Sequence, residues 1–344
     1  MISFKNKKFT LLHIILFAFL ACIATFFLTN FWKEKQFAEK YNAAVSSYAC
    51  NYNVKRMNGY KFIKPLMFVD EDCESEGLMS IKQKITAVVD RYKTVGDVSA
   101  ASVYLRAYNH NEWICVNENE KFDPGSLFKV PVMIAILKQN ELNPGFLNKQ
   151  ISYNQRIDAG KNVAFASKMI QLGQSYSVKE LLIYMIKYSD NNATILLEKN
   201  MEPKILQKLF SDVGLEVPNM YASQYLFTTK DYSYFMRAIY NAAYLSVEDS
   251  EFAGELLSQC DFKDGILLGL PPNTRVAHKF GESGSQVVKQ LHESAIVYLD
   301  NQPYLLTVMT KGNDNKKLSQ LIKEISQTVY NDMKNDAIIR TSHV

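Results

Sequence analysis

Nothing in these 344 residues concentrates charge, cysteine or histidine. The formal net charge is only +4 and is dispersed along the chain, so no basic surface for nucleic acid is expected. Cysteine and histidine number five each, no two cysteines stand at C-x-x-C spacing, and the histidines are scattered. Neither a metal site nor another cofactor is therefore expected. There is no internal repeat and no long low-complexity segment. A hydrophobic fraction of 47% with 22% charged residues excludes both wholesale disorder and a multi-span membrane protein. What is plentiful is tyrosine and phenylalanine, 20 of each, which suits packed strands and grooves but names no ligand. The length allows one large domain or two modest ones, with ample core.

One long apolar run does stand out, at the N-terminus. Residues 1–8 are short and basic (Lys5, Lys7, Lys8), and residues 11–28 hold only His13 as a strongly polar side chain. That is long enough to cross a bilayer, and Phe26, Phe27, Phe31 and Trp32 make an aromatic edge before Lys33. A cleaved signal peptide is the rival, but no small-x-small cleavage pattern closes the run. The reading is an uncleaved signal-anchor over residues 9–32. Three lysines before the span and three soon after (Lys33, Lys35, Lys40) leave its orientation open. Residues 33–79 read as a spacer. Cys50 and Cys73 flank part of it and either bridge or are two unrelated thiols.

From Ser80 the pattern sharpens into a folded domain, read as residues 80–335, with 336–344 as a tail. Ser80 and Gln83 have the spacing of a capping box, followed by Ile81, Ile85, Val88, Val89 and Tyr92 at helical spacing. Strand-like runs follow at 99–107 and 112–116, with Tyr108-Asn109-His110-Asn111 between them as a hairpin turn. A helical block comes next. Ser177 with Glu180 caps one helix, and others are expected at 203–211, 230–244 and 247–257, with Gly214 stopping the first of these. Strands at 292–299 and 303–310 and a helix at 316–333 close the domain. The order strands, helices, strands, helix implies an α+β fold. Its antiparallel sheet is built from both chain ends, with the terminal helices on one face and the all-helical block on the other.

Three short motifs carry chemistry. Pro124-Gly125-Ser126-Leu127-Phe128-Lys129 ends an extended segment and opens the apolar run Val130-Pro131-Val132-Met133-Ile134-Ala135-Ile136-Leu137. If a helix starts near Ser126, Ser126 and Lys129 share a face, one turn apart. A serine hydroxyl needs a base, and a lysine whose ammonium is destabilised can be one. The bland alternative is a helix cap and a solvated lysine. Tyr188-Ser189-Asp190-Asn191-Asn192 sits at the end of the capped helix, where Ser, Asp and Asn side chains can turn back on the backbone to make a rigid loop. Its bland alternative is a plain helix-to-helix turn. Thr274-Arg275-Val276-Ala277-His278-Lys279-Phe280-Gly281 reads as an edge-like strand. It ends in a lysine that could hold a carboxylate and a glycine that permits close backbone approach. A charged strand end would look the same.

The order S-x-x-K, S-D-N, K-x-G resembles the motif triplet of the penicillin-recognising serine enzymes, and the chain closely resembles the class A β-lactamase family over residues 98–333. Val130-Pro131, Leu267-Leu268-Gly269-Leu270-Pro271 and the closing Lys311-Gly312 add to the likeness. The resemblance implies a β-lactamase/transpeptidase-like fold and a β-lactam or D-Ala-D-Ala cell-wall peptide as substrate. Ser126 would be the acylated nucleophile and Lys129 would help deprotonate it. Ser189 would pass the proton to the leaving nitrogen and Asn191 would hold the substrate amide. Lys279 would supply positive charge. Gly281 and Glu282 would border the substrate, with the backbone N–H groups of Ser126 and Glu282 as the oxyanion hole. It also implies a monomer attached to the cytoplasmic membrane by one pass, with the catalytic domain outside, and it favours a Cys50–Cys73 bridge.

Two features depart from that family. Phe280 stands where the third motif has threonine, removing a hydroxyl from the expected substrate site, and Glu282 places a negative charge near the same spot. The segment Glu216-Val217-Pro218-Asn219-Met220-Tyr221-Ala222-Ser223-Gln224-Tyr225 lacks the Glu-x-x-Leu-Asn whose glutamate activates the deacylating water. Acylation is therefore expected and rapid deacylation is not. The alternative is a non-catalytic, membrane-anchored module that binds penicillin or cell-wall fragments.

Overall fold

Two apolar runs of this chain meet opposite surroundings. The structure, a computed structural model, describes residues 6–48, 50–157, 167–218, 225–299 and 302–341. Helix α1 (Asn6–Tyr48) carries the stretch His13–Gln36, of mean hydropathy 2.3, with none of it buried. At about 1.5 Å per residue it is longer than the roughly 30 Å of a bilayer's hydrocarbon. The chain divides into two units, and the first is Met1–Tyr52 with Glu71–Cys73. Within it Cys50 and Cys73 form a disulfide, Cα atoms 5.5 Å apart, resolving the alternative left open by the sequence.

The second unit is Asn53–Asp70 with Glu74–Val344. Much of the stretch read as a spacer is ordered. Strands β1 (Tyr52–Arg56) and β2 (Leu66–Glu71) pair, and Asp70 at 6% exposure accepts from two buried guanidinium groups. Arg106 reaches Asp70 Oδ1 at 3.3 Å and Arg237 reaches Oδ2 at 3.2 Å. A buried carboxylate is tolerable only when paired in this way.

Helix α2 (Met79–Thr94) buries Ile81, Ile85 and Val89, but the expected Ser80 cap is absent. A short 3₁₀ turn, Glu76–Leu78, already leads into the helix, so Ser80 lies inside it rather than before it. Strands β3 (Val98–Ala107) and β4 (Glu112–Val116) follow as a hairpin. Next come α3 (Lys129–Leu142) and the short pair β5 (Gln150–Ser152) and β6 (Ser175–Ser177). The helical block continues with α4 (Val178–Lys187), α5 (Asn191–Asn200), α6 (Pro203–Asp212), α7 (Thr229–Tyr240) and α8 (Val247–Ser258). Strands β7 (Arg275–Gly284), β8 (Lys289–Tyr298) and β9 (Tyr304–Gly312) and helix α9 (Asn315–Thr341) complete it. The capping box of Ser177 and Glu180 forms as expected.

The main sheet has the order β4-β3-β9-β8-β7, every pairing antiparallel, so both chain ends build it. Strand alternation divides the core in two. Val103, Leu105, Val297 and Leu306 pack with Ile85 of α2 and Leu321, Ile322 and Ile325 of α9. Tyr104, Ile296, Leu305 and Met309 face the helical block. Helix α3 is apolar all round because it is buried all round: every residue from Val130 to Leu137 is buried. This fixes its first residue, Lys129, at the junction of sheet and helices.

Candidate active site

The site begins with backbone contact. A 3₁₀ turn, Gly125–Phe128, hands the chain directly to α3, so Ser126 lies on the turn and Lys129 on the first residue of the helix. Gly125 has φ +50°, and a Cβ there would lie 2.2 Å from the carbonyl oxygen of Glu282. On the facing strand, a Cβ on Gly281 would lie 2.2 Å from Pro124 O. Two glycines therefore let the Ser126 turn and edge strand β7 touch main chain to main chain. The N–H groups expected to form the oxyanion hole, of Ser126 and Glu282, lie on these two segments. Gly281 thus serves the approach of strand to turn.

Asp123 anchors the turn from outside. Its carbonyl accepts from Ser283 Oγ and His292 Nε2, each at 2.9 Å, and its Oδ1 accepts from Gly125 N–H at 3.1 Å. His292 accepts the Thr310 N–H at Nδ1, 3.1 Å away, which fixes the neutral Nε2–H tautomer. Burial pushes its pKa down to about 4.

The S-D-N segment is the joint between α4 and α5. Ser189 has φ +58°, a left-handed conformation costly for a residue with a side chain, roughly 1–3 kcal/mol. Asp190 then caps α5, its Oδ1 accepting from Asn192 N–H at 2.8 Å and its Oδ2 from Ile170 N–H at 2.7 Å. The kink aims Ser189 into the interior, where it is fully buried.

Two lysines meet there. Lys129 Nζ donates to Ser189 O (2.6 Å), Asn191 Oδ1 (2.7 Å) and Ser189 Oγ (3.1 Å). Lys279 Nζ donates to the same Ser189 Oγ at 3.1 Å and to Phe280 O at 3.2 Å. Both are buried, at 4% and 0% exposure. Burial pushes the Lys129 pKa well below the usual lysine value, and the Lys279 charge adds to that, against Asp190 and Glu198. Burial brings Lys279 down to about 8. One amine can therefore stand neutral as a base while the other remains mostly a cation near neutral pH.

A cleft of about 280 Å³ opens over this group, lined by Gly125, Ser126, Phe128, Lys129, Asn191, Thr194, Glu198 and Glu282. The structure thus brings Ser126, Lys129, Ser189, Asn191, Lys279, Gly281 and Glu282 together. Phe280 is different. It is 1% exposed, stacked on Phe262 with ring centroids 4.3 Å apart, and does not line the cleft. The Lys279 ammonium lies over its ring, 4.0 Å from the centroid, so Phe280 packs beneath the lysine rather than in the cleft lining. Glu282 lines the cleft, but its Oε1 is taken by Asn315 Nδ2 at 2.6 Å. Of the loop expected to lack the deacylating glutamate, residues 219–224 lie outside the described residues. Glu216 is exposed and away from the cleft lining.

The sequence reading missed Glu198. Its one signal is spacing: Asn191, Thr194 and Glu198 follow at three and four residues, one face of a helix. Among the described residues no cluster of three or more His, Cys, Asp or Glu is placed to hold a metal.

Comparison with known proteins agrees with this geometry. The chain is 24% identical over 280 residues to the extended-spectrum beta-lactamase PER-1 of Pseudomonas aeruginosa, covering 73% of this chain and 86% of that enzyme. It is 33% identical over 113 residues to a beta-lactamase of Bacillus subtilis (strain 168), 33% of this chain and 35% of the other. The solved structure of PBP-A superposes with a TM-score of 0.64 at 21% identity, covering 75% of this chain and 97% of that one. A beta-lactamase from Sphaerobacter thermophilus DSM 20745 gives 0.64 at 17% identity, covering 73% and 97%. These likenesses show the fold. The model of the beta-lactamase enzyme family matches residues 80–333, most of the chain, and the protein belongs to that family.

Proposed function

We propose that this protein is a membrane-anchored serine hydrolase that is acylated at Ser126 by β-lactams or D-Ala-D-Ala-type peptides. The observation that carries this reading is the convergence of two buried lysines on Ser189 Oγ, each at 3.1 Å, beneath the cleft that Ser126 lines. Lys129, neutral, takes the Ser126 proton as Oγ attacks the carbonyl carbon. Ser189 Oγ relays a proton to the leaving nitrogen, and Lys279 keeps that hydroxyl polarised. The backbone N–H groups of Ser126 and Glu282 receive the oxyanion, a contribution of about 3–4 kcal/mol for a single donor. Asn191 holds the substrate amide, and Lys279 offers the charge for its carboxylate.

A variant of PBP-A has been solved as its acyl-enzyme complex with penicillin G, which supports the same chemistry on this fold. The catalytic domain is read as residues 80–335, outside the membrane, with the apolar N-terminal helix as a single-pass anchor. The Cys50–Cys73 disulfide fits an oxidising compartment.

Intact-mass measurement on the full chain in detergent, treated with a penicillin, tests the reading. The wild type gains the mass of the drug and Ser126→Ala gains nothing. Hydrolysed penicillin without visible adduct would mark fast turnover, whereas a wild type that neither gains mass nor hydrolyses the drug, indistinguishable from Ser126→Ala, would instead favour a non-catalytic binding module.

A further inference from the structure

An acyl-enzyme is an ester, and its hydrolysis needs a group that takes a proton from water. The cleft offers few candidates. Lys129 Nζ is turned toward the S-D-N joint, held by Ser189 O, Ser189 Oγ and Asn191 Oδ1 at 2.6, 3.1 and 2.7 Å. Both Asp190 oxygens accept backbone N–H groups. Glu282 is held by Asn315 and sits on the strand of the expected oxyanion hole. Glu216 is exposed and outside the cleft, and residues 219–224, Asn-Met-Tyr-Ala-Ser-Gln, contain no acid. Glu198 is left. It lines the same cleft as Ser126 and Lys129, is only partly exposed, and has no hydrogen-bond partner among the described residues. Helix α5 presents it on the face of Asn191 and Thr194.

We propose that Glu198 is the base that activates the water releasing the acyl group from Ser126, a role supplied here by helix α5. The inference rests on the acylation at Ser126 proposed above. Water oxygen bonds to the ester carbonyl carbon while its proton passes to Glu198. The tetrahedral intermediate collapses, the carbonyl carbon–Oγ bond breaks, and Ser126 Oγ takes a proton relayed from the Glu198 carboxyl through the neutral Lys129 amine. Glu198 is again a carboxylate and Lys129 again neutral, so the net change is ester plus water to carboxylic acid plus serine. Burial raises the carboxyl pKa of Glu198 and the Lys129 charge lowers it, in keeping with a base of intermediate strength.

The test is transient kinetics of full-length wild type and Glu198→Gln with a penicillin, following adduct mass against time. Acylation is expected to stay within about threefold while deacylation slows by about 100-fold or more, so that adduct accumulates. Hydroxylamine, a nucleophile that needs no base, should release the adduct from both proteins at similar rates as the hydroxamate. An equal adduct lifetime in the two proteins overturns the proposal. So does a Glu198→Gln defect confined to acylation, which would make Glu198 only a counter-ion of Lys129. A wild type and a Glu198→Gln variant that neither form adduct nor hydrolyse the penicillin remove the acylation reading itself, and with it this one.

Discussion

The two walls of the cleft are built differently. On the wall of Lys129, Ser189 and Lys279 almost every polar atom is spoken for, and the geometry is paid for by a left-handed serine and two buried amines. On the wall of α5, Glu198 stands partly exposed without a hydrogen-bond partner among the described residues. Dense mutual bonding preorganises a proton relay, so that little rearrangement is needed when the nucleophile attacks. An open carboxylate beside space is what a transient water requires. The first wall suits acylation and the second suits release.

That division is broken most directly at Lys129. Lys129→Met keeps the volume of the side chain and removes the base. Acylation by penicillin, followed by the same mass measurement, should fall by about 100- to 10,000-fold, the range for loss of a general base. The circular-dichroism melting curve should remain cooperative. Acylation retained within tenfold would mean that the two walls do not divide the chemistry in this way. Glu198→Gln, with its effect on release alone, is the complementary arm.

The first wall was largely legible in the sequence and the second was not. Ser126, Lys129, Ser189, Asn191 and Lys279 announce themselves because each sits in a short motif with a backbone reason: a turn into a helix, a helix joint, a strand end. Glu198 sits within a helix among polar residues, and its spacing from Asn191 is shared by countless solvated side chains. The burial of Phe280, stacked on Phe262 with the Lys279 ammonium over its ring, could not be read from the motif because Phe262 is brought there by the fold. The β1–β2 pair stayed hidden because its anchor is non-local: Asp70 meets Arg106 and Arg237, 36 and 167 residues away. The Ser80 box had the right letters, but its turn of helix had already begun.

Gly281 sharpens the comparison because it serves both walls. The N–H groups it helps bring together would stabilise the oxyanion in acylation and in release alike. An alanine Cβ would lie 2.2 Å from Pro124 O and 2.9 Å from Leu127 N, both main-chain atoms that cannot swing aside. Gly281→Ala should cost about 1–3 kcal/mol of stability as β7 and the turn are pushed apart. It should also slow both steps by similar factors, measured as separate rates on one sample. Unequal slowing would show that the hole acts in one step only.

The smallest effect falls outside the cleft, on the residue that holds the turn in place. His292 is buried in the neutral form, with a pKa of about 4 against an ordinary value of 6.5, so between those values the unfolded chain binds more protons. Its contribution to stability is therefore complete above about pH 6.5 and is lost as pH falls through about 4. Acidifying from pH 7 to 5.5 should remove about 1 kcal/mol through this residue alone. His292→Asn, which keeps a donor near Asp123 O, should flatten that slope while lowering stability at neutral pH. Urea unfolding of the two proteins at both pH values measures it. A slope unchanged in the variant would assign the acid sensitivity to other groups, and would leave the turn held chiefly by Ser283 and by the Gly125 N–H bond to Asp123.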